Sequence, residues 1–128
     1  MDFYHEDILD HNSNPRHWGV VSPADIDHEE HNPLCGDRLR LTMKVEDNKI
    51  VDIGWDGDGC AISRASASML GEMLVGKTLE EARAIRKEDI LERLGIELGP
   101  VRLKCALLSL KVMKVGAYGL AQWNETER

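Results

Sequence analysis

Two stretches of strict alternation meet across Asp47-Asn48-Lys49 and dictate a β-hairpin. Leu39, Leu41, Met43 and Val45 alternate with Arg40, Thr42 and Lys44, and Val51, Ile53 and Trp55 alternate with Asp52 and Gly54. Two registers are open. A two-residue Asp47-Asn48 turn sets Met43 against Asp52 and Lys44 against Val51, mixing polar with apolar on both faces. Centring the turn on Asn48 pairs Val45 with Val51, Met43 with Ile53 and Leu41 with Trp55, so that one face is wholly apolar. Asn48 tolerates the left-handed backbone that a three-residue loop needs. The second register is therefore expected. Extended outward, it places Leu39 opposite Gly57 and carries Cys35 and Cys60 to the same end of the hairpin, with Asp37 alongside. Two cysteines far apart in the chain become neighbours, which favours a shared metal site over two unrelated core thiols.

The second strand runs into Gly57-Asp58-Gly59-Cys60-Ala61-Ile62-Ser63, then into the small-residue run Arg64-Ala65-Ser66-Ala67-Ser68. Ile62, Ala65, Met69 and Met73 fall on one helical face, with Leu70 and Leu74 flanking it. Cys60 thus stands where a helix begins. Unpaired amide N–H groups and the positive end of the helix dipole favour a thiolate there.

The rest of the chain supplies helices. Asp2 to Asn12 reads as a helix that places His11 at its end, stopped by Asn14-Pro15. Arg16 to His31 is polar, with a third strand expected around Gly19–Ile26 and a solvated loop at His28-Glu29-Glu30-His31, whose spacing is not that of a helical zinc motif. Thr78 and Glu81 form a capping box for a helix to about Ile85, and Glu88–Leu94 is another that stops at Gly95. Gly99-Pro100 opens the last long helix. Leu103, Leu107, Leu110 and Ala117 make one apolar stripe on it. Val101, Cys105, Leu108, Val112 and Val115 make a second, and Lys104, Lys111 and Lys114 are expected to form a solvated face. Cys105 is then covered in the second turn.

Charge and cysteine usage narrow the function. A net charge of −7 argues against nucleic acid or an anionic membrane as a partner, and no apolar run reaches a membrane span or a signal peptide. Three cysteines, an odd number widely spaced, suit a reducing, cytoplasmic setting in which thiols serve metal or sulfur chemistry. The 128 residues read as one domain, 1–128.

With the cysteines placed, the chain resembles the IscU/SufU/NifU-N family of iron–sulfur cluster assembly proteins over nearly its whole length. The resemblance rests on Asp10-His11, Asn14-Pro15-Arg16 and Gly19, then on Asn32-Pro33-Leu34-Cys35-Gly36-Asp37. It continues through Gly57–Ser63 and Ala65–Ser68 and ends with Arg102-Leu103-Lys104-Cys105-Ala106. It implies an α+β fold, a small antiparallel sheet of three strands packed by helices. It also implies that Cys35, Cys60 and Cys105 are metal or cluster ligands, with Asp37 as the regulating or fourth ligand. Three thiolates with a carboxylate can open where four thiolates would stay closed.

The function implied is a scaffold that accepts sulfur from a cysteine desulfurase and assembles and transfers a [2Fe–2S] cluster to apo iron–sulfur proteins. The alternative is a zinc-dependent sulfurtransferase that relays persulfide, with Zn²⁺ as the resident metal. Cys35 and Cys105 are the candidate persulfide acceptors. Arg102 and Lys104 are candidates to orient on Asp37 or on the desulfurase. The chain is similar to the IscU branch in having no long insertion between Cys60 and Cys105. It is similar to the SufU branch in Arg102-x-Lys104-Cys105, where the IscU branch has His before the third cysteine. A chaperone is a further partner that the IscU branch implies, docking on Leu-Pro-Pro-Val-Lys, and the corresponding stretch here is Leu98-Gly99-Pro100-Val101-Arg102.

Overall fold

A computed structural model of the chain describes residues 3–33 and 36–118. The elements in chain order are α1 (Phe3–Ser13), β1 (Ile26–Asn32), β2 (Asp37–Glu46), β3 (Lys49–Asp58), α2 (Ala61–Leu74), α3 (Leu79–Arg83), α4 (Lys87–Leu94) and α5 (Pro100–Tyr118). The strands form one antiparallel sheet in the order β1-β2-β3, with helices over its apolar face. Leu39, Leu41, Met43, Ile53 and Trp55 from that face join Met69, Leu70 and Leu74 of α2 and Leu108, Val112 and Met113 of α5 in one core.

The hairpin reconciles both registers. Leu39 pairs with Gly57, Leu41 with Trp55 and Met43 with Ile53, as the apolar pairing requires. At the tip, however, Glu46 pairs with Lys49 across the two-residue Asp47-Asn48 turn, both of whose residues have positive φ (50° and 65°). That is the mirror-image turn whose twist suits a hairpin. The pairing jumps from Lys44–Asp52 to Val45–Ile50, leaving Val51 as the extra residue of a β-bulge. Ile50 takes the buried place expected of Val51, which is 45% exposed. One inserted residue lets the turn and the apolar face both be satisfied.

Two other expectations are corrected. The third strand is Ile26–Asn32 rather than Gly19–Ile26, so His28-Glu29-Glu30-His31 is strand and not loop. Its alternation is real but polar: Ile26, His28 and Glu30 are half-buried, while Asp27, Glu29 and His31 face solvent. His28 Nε2 lies 2.6 Å from Glu30 Oε2, and Lys111 of α5 lies 3.5 Å from the other carboxylate oxygen. Charge pairing replaces the apolar signature by which a strand is normally read. Nor is the lysine face of α5 wholly solvated. Lys104 is exposed, Lys111 is half-buried and Lys114 is 2% exposed, because α5 packs against α2, α3, α4, β1 and β2 together.

The segment before β1 clamps the far edge of the sheet. Gly19 N–H donates to Trp55 O at 2.7 Å and Trp55 N–H to His17 O at 2.8 Å. The small residues of α2 let its neighbours come close. Ser66 Oγ donates to Ala106 O of α5 at 2.5 Å and lies 3.0 Å from Ser109 Oγ. Among the described residues no helix is long and apolar enough to cross a membrane.

His11 ends α1 as expected, yet only 2% of it is exposed. Its Nδ1 lies 2.7 Å from Ser68 Oγ, and its Nε2 lies 3.6 Å from Asp7 and 3.5 Å from Glu72. Burial holds its imidazole below the ordinary value; Arg16 acts the same way, and Glu72 and Asp7 oppose it. The unfolded chain therefore takes the proton more readily than the folded one. The stability so conferred is whole above about pH 6.5 and is lost as pH falls below it toward the folded value. Between about pH 7.5 and about pH 5.5 the urea midpoint is expected to fall further in the native chain than in His11→Gln. Parallel slopes for the two proteins would refute this.

Candidate metal centre

The end of the sheet opposite the Asp47-Asn48 turn carries the chemistry. Asn32 closes β1 and pairs with Asp37, which opens β2; Gly36 N–H donates to Asn32 O at 2.8 Å across the connection. Beside them β3 ends at Asp58 and turns into α2. Gly57 makes this turn possible. Its φ is +135°, and a Cβ on it would lie 2.0 Å from Arg38 O. Gly59 is similarly close: a Cβ there would meet Ser63 Cβ at 3.0 Å and Asp37 Cγ at 3.4 Å.

Cys60 is the N-cap of α2, with extended φ and ψ (−71°, 172°) and no cap bond from its own side chain. The missing cap comes from another strand. Asp37 Oδ1 accepts Cys60 N–H at 3.0 Å, which places a carboxylate at the positive end of the helix. Asp37 Oδ2 accepts the Ser63 hydroxyl and lies 3.8 Å from Cys60 Sγ. Cys105, in the second turn of α5, faces the same point. One ligand atom each from Asp37, Cys60 and Cys105 lies within 4.8 Å of the others.

These residues fit a soft divalent ion. The edge of a tetrahedron with metal–sulfur bonds of about 2.3 Å is about 3.8 Å, so three donors this close need little adjustment. Asp37 and Cys105 are only 3% and 2% exposed, while Cys60 is half-buried. Two of the three candidate donors are thus covered, and Cys60 is the more exposed one.

The structure thus brings together three of the four expected ligands, Asp37, Cys60 and Cys105. Cys35 lies outside the described residues. Arg102 and Lys104 are both exposed near the start of α5, whereas the Asp37 carboxylate takes hydrogen bonds from Cys60 and Ser63. Two residues at the site were not singled out by sequence reasoning. Ser63 donates to Asp37, and its Oγ lies 3.3 Å from Cys105 O. The Asn32 amide lies 4.0 Å from Cys105 Sγ. Ser63 was legible in principle, three residues after an N-cap, where capping side chains sit.

Comparison with known proteins identifies the family. The profile of the NifU-like N terminal domain matches residues 3–126. The zinc-dependent sulfurtransferase SufU of Bacillus subtilis is 38% identical, the match covering 88% of this chain and 88% of that one. The iron–sulfur cluster assembly scaffold protein IscU of Haemophilus influenzae is also 38% identical, over 87% of this chain and 90% of that one. Among solved structures, a candidate iron–sulfur cluster assembly scaffold protein for the SUF system from Fervidobacterium islandicum AW-1 superposes with a TM-score of 0.73. Its identity is 32%, over 88% of this chain and 94% of that one.

Proposed function

Since the chain belongs to the NifU-like N-terminal domain family, we propose that it accepts sulfur from a cysteine desulfurase and serves as an iron–sulfur cluster assembly scaffold. The product is a [2Fe–2S] cluster, built on Cys35, Asp37, Cys60 and Cys105 and passed to apo iron–sulfur proteins. The convergence of Asp37, Cys60 and Cys105 carries this reading. Residues from β2, α2 and α5 meet with the soft donors that iron and zinc prefer, and the carboxylate among them is the most easily exchanged.

The chain's own part in sulfur transfer is nucleophilic. The thiolate of Cys35 or Cys105 attacks the terminal sulfur of the desulfurase persulfide, and the desulfurase cysteine leaves as thiolate. One sulfane sulfur moves and this transfer needs no outside oxidant or reductant. Turning that sulfur into cluster sulfide takes two electrons from a separate reductant, such as a dithiol or a reduced electron-transfer protein. The burial of Cys105 supports Cys35 as the first acceptor. The exposure of Arg102 and Lys104 supports a role for them in meeting acidic groups of the desulfurase. Resident Zn²⁺, held by the same donors, would keep the thiols deprotonated and shielded.

A second reading is a zinc-dependent sulfurtransferase that relays persulfide without building a cluster. It rests on the match to the zinc-dependent sulfurtransferase SufU of Bacillus subtilis and on Arg102-x-Lys104-Cys105, which is similar to the SufU branch. Anaerobic reconstitution with iron, cysteine, a desulfurase and a dithiol reductant separates the two. Loss of zinc, a [2Fe–2S] absorption and Mössbauer signature, and transfer to an apo-ferredoxin are expected for the scaffold. Retained zinc with a faster desulfurase and no cluster would establish the relay instead.

A further inference from the structure

The Ser63 side chain reaches all three elements that supply a candidate ligand. From α2 its hydroxyl donates to the Asp37 carboxylate of β2 and lies 3.3 Å from the Cys105 carbonyl of α5, while its Oγ is 3.8 Å from Cys60 Sγ. It is wholly buried. With Cys60 N–H on one oxygen and the Ser63 hydroxyl on the other, the carboxylate plane of Asp37 is held from both sides by the chain's own donors. Each carboxylate oxygen has a second lone pair, so Oδ2 can accept from Ser63 and still face a metal. We infer that Ser63 is the positioning residue of the metal centre, fixing Asp37 as a ligand by the Ser63–Asp37 hydrogen bond. This rests on the metal-binding reading above and adds to it a residue that ligates nothing itself.

A hydrogen bond that orients a ligating carboxylate is typically worth ten- to a hundredfold in metal affinity. Ser63→Ala removes the hydroxyl, keeps the Cβ against Gly59, and introduces a good helix former at the start of α2. Zinc affinity, measured by competition with a chromophoric chelator, is expected to fall at least about tenfold. In an Asp37→Ala background the same substitution should change affinity by less than about twofold, since the residue it acts through is gone. Ser63→Thr, which keeps the hydroxyl, should restore most of the native affinity. With Co²⁺ as probe, Ser63→Ala should retain the thiolate charge-transfer bands and shift the ligand-field bands, because the cysteine ligands still bind.

Equal losses in the native and Asp37→Ala backgrounds would overturn the inference by making Ser63 act on the cysteines or on the fold. Unchanged or tighter zinc binding in Ser63→Ala would overturn it as well, and would leave the reading of the site intact. If the native chain itself binds no stoichiometric zinc, the metal-binding reading fails and the inference falls with it.

Discussion

Cys60→Ala is expected to weaken zinc binding by more than about a hundredfold, the upper range for groups that only orient a ligand. The residue contributes twice at one point. In the proposed centre its sulfur is a donor, and its backbone amide donates to Asp37 Oδ1 at 3.0 Å. The substitution removes the first and keeps the second, so the loss reads the sulfur alone. A ligand that binds only the folded chain stabilises it by about 2.7 kcal/mol at a hundredfold excess over its dissociation constant. Zinc should therefore raise the melting temperature of the native chain and leave that of Cys60→Ala nearly unmoved. The apo proteins should melt close together, since Cys60 is half-buried at the rim of the core. A full zinc-dependent shift in the variant would remove Cys60 from the ligand set.

The second large effect concerns the backbone that delivers Cys60. Gly57→Ala is expected to cost about 3–5 kcal/mol, combining a left-handed φ with an overpacked contact. The added Cβ would meet Arg38 O at 2.0 Å, on the strand that Gly57 must pair with. Gly76 is the internal control. Its φ is +87°, yet nothing lies within 4 Å of where its Cβ would be. Gly76→Ala should lose only about 1 kcal/mol, the cost of the backbone conformation alone. Urea unfolding of the two variants separates φ strain from the steric clash. Similar midpoints would show that β3 yields at Gly57 without breaking the ladder.

What the sequence disclosed follows from how each feature is enforced. Leu41 against Trp55 and Met43 against Ile53 were legible because burial of one face penalises any other register. The bulge at Val51 was not, because turn preference and apolar pairing were weighed as rivals, and one extra residue satisfies both. Strand β1 escaped because its inward positions are His28 and Glu30, whose burial depends on each other and on Lys111 rather than on hydropathy. Lys114 was misplaced for a related reason: periodicity counts the apolar faces of a helix but not how many neighbours will cover it. At the metal centre, Asp37, Cys60 and Cys105 announce themselves by their chemistry. Ser63 does not, since a serine in a run of small residues reads as packing until the carboxylate opposite it is known.

The donor set also has an order in time. Asp37 and Cys60 sit on neighbouring strand and helix ends that can pair as soon as the hairpin and α2 have left the ribosome. Cys105 emerges later, on the last helix described, and reaches the others only when α5 docks. Until then a nascent chain offers a metal one thiol and one carboxylate of this trio. The full proposed donor set, Cys35 included, is therefore complete only once α5 has docked over the sheet.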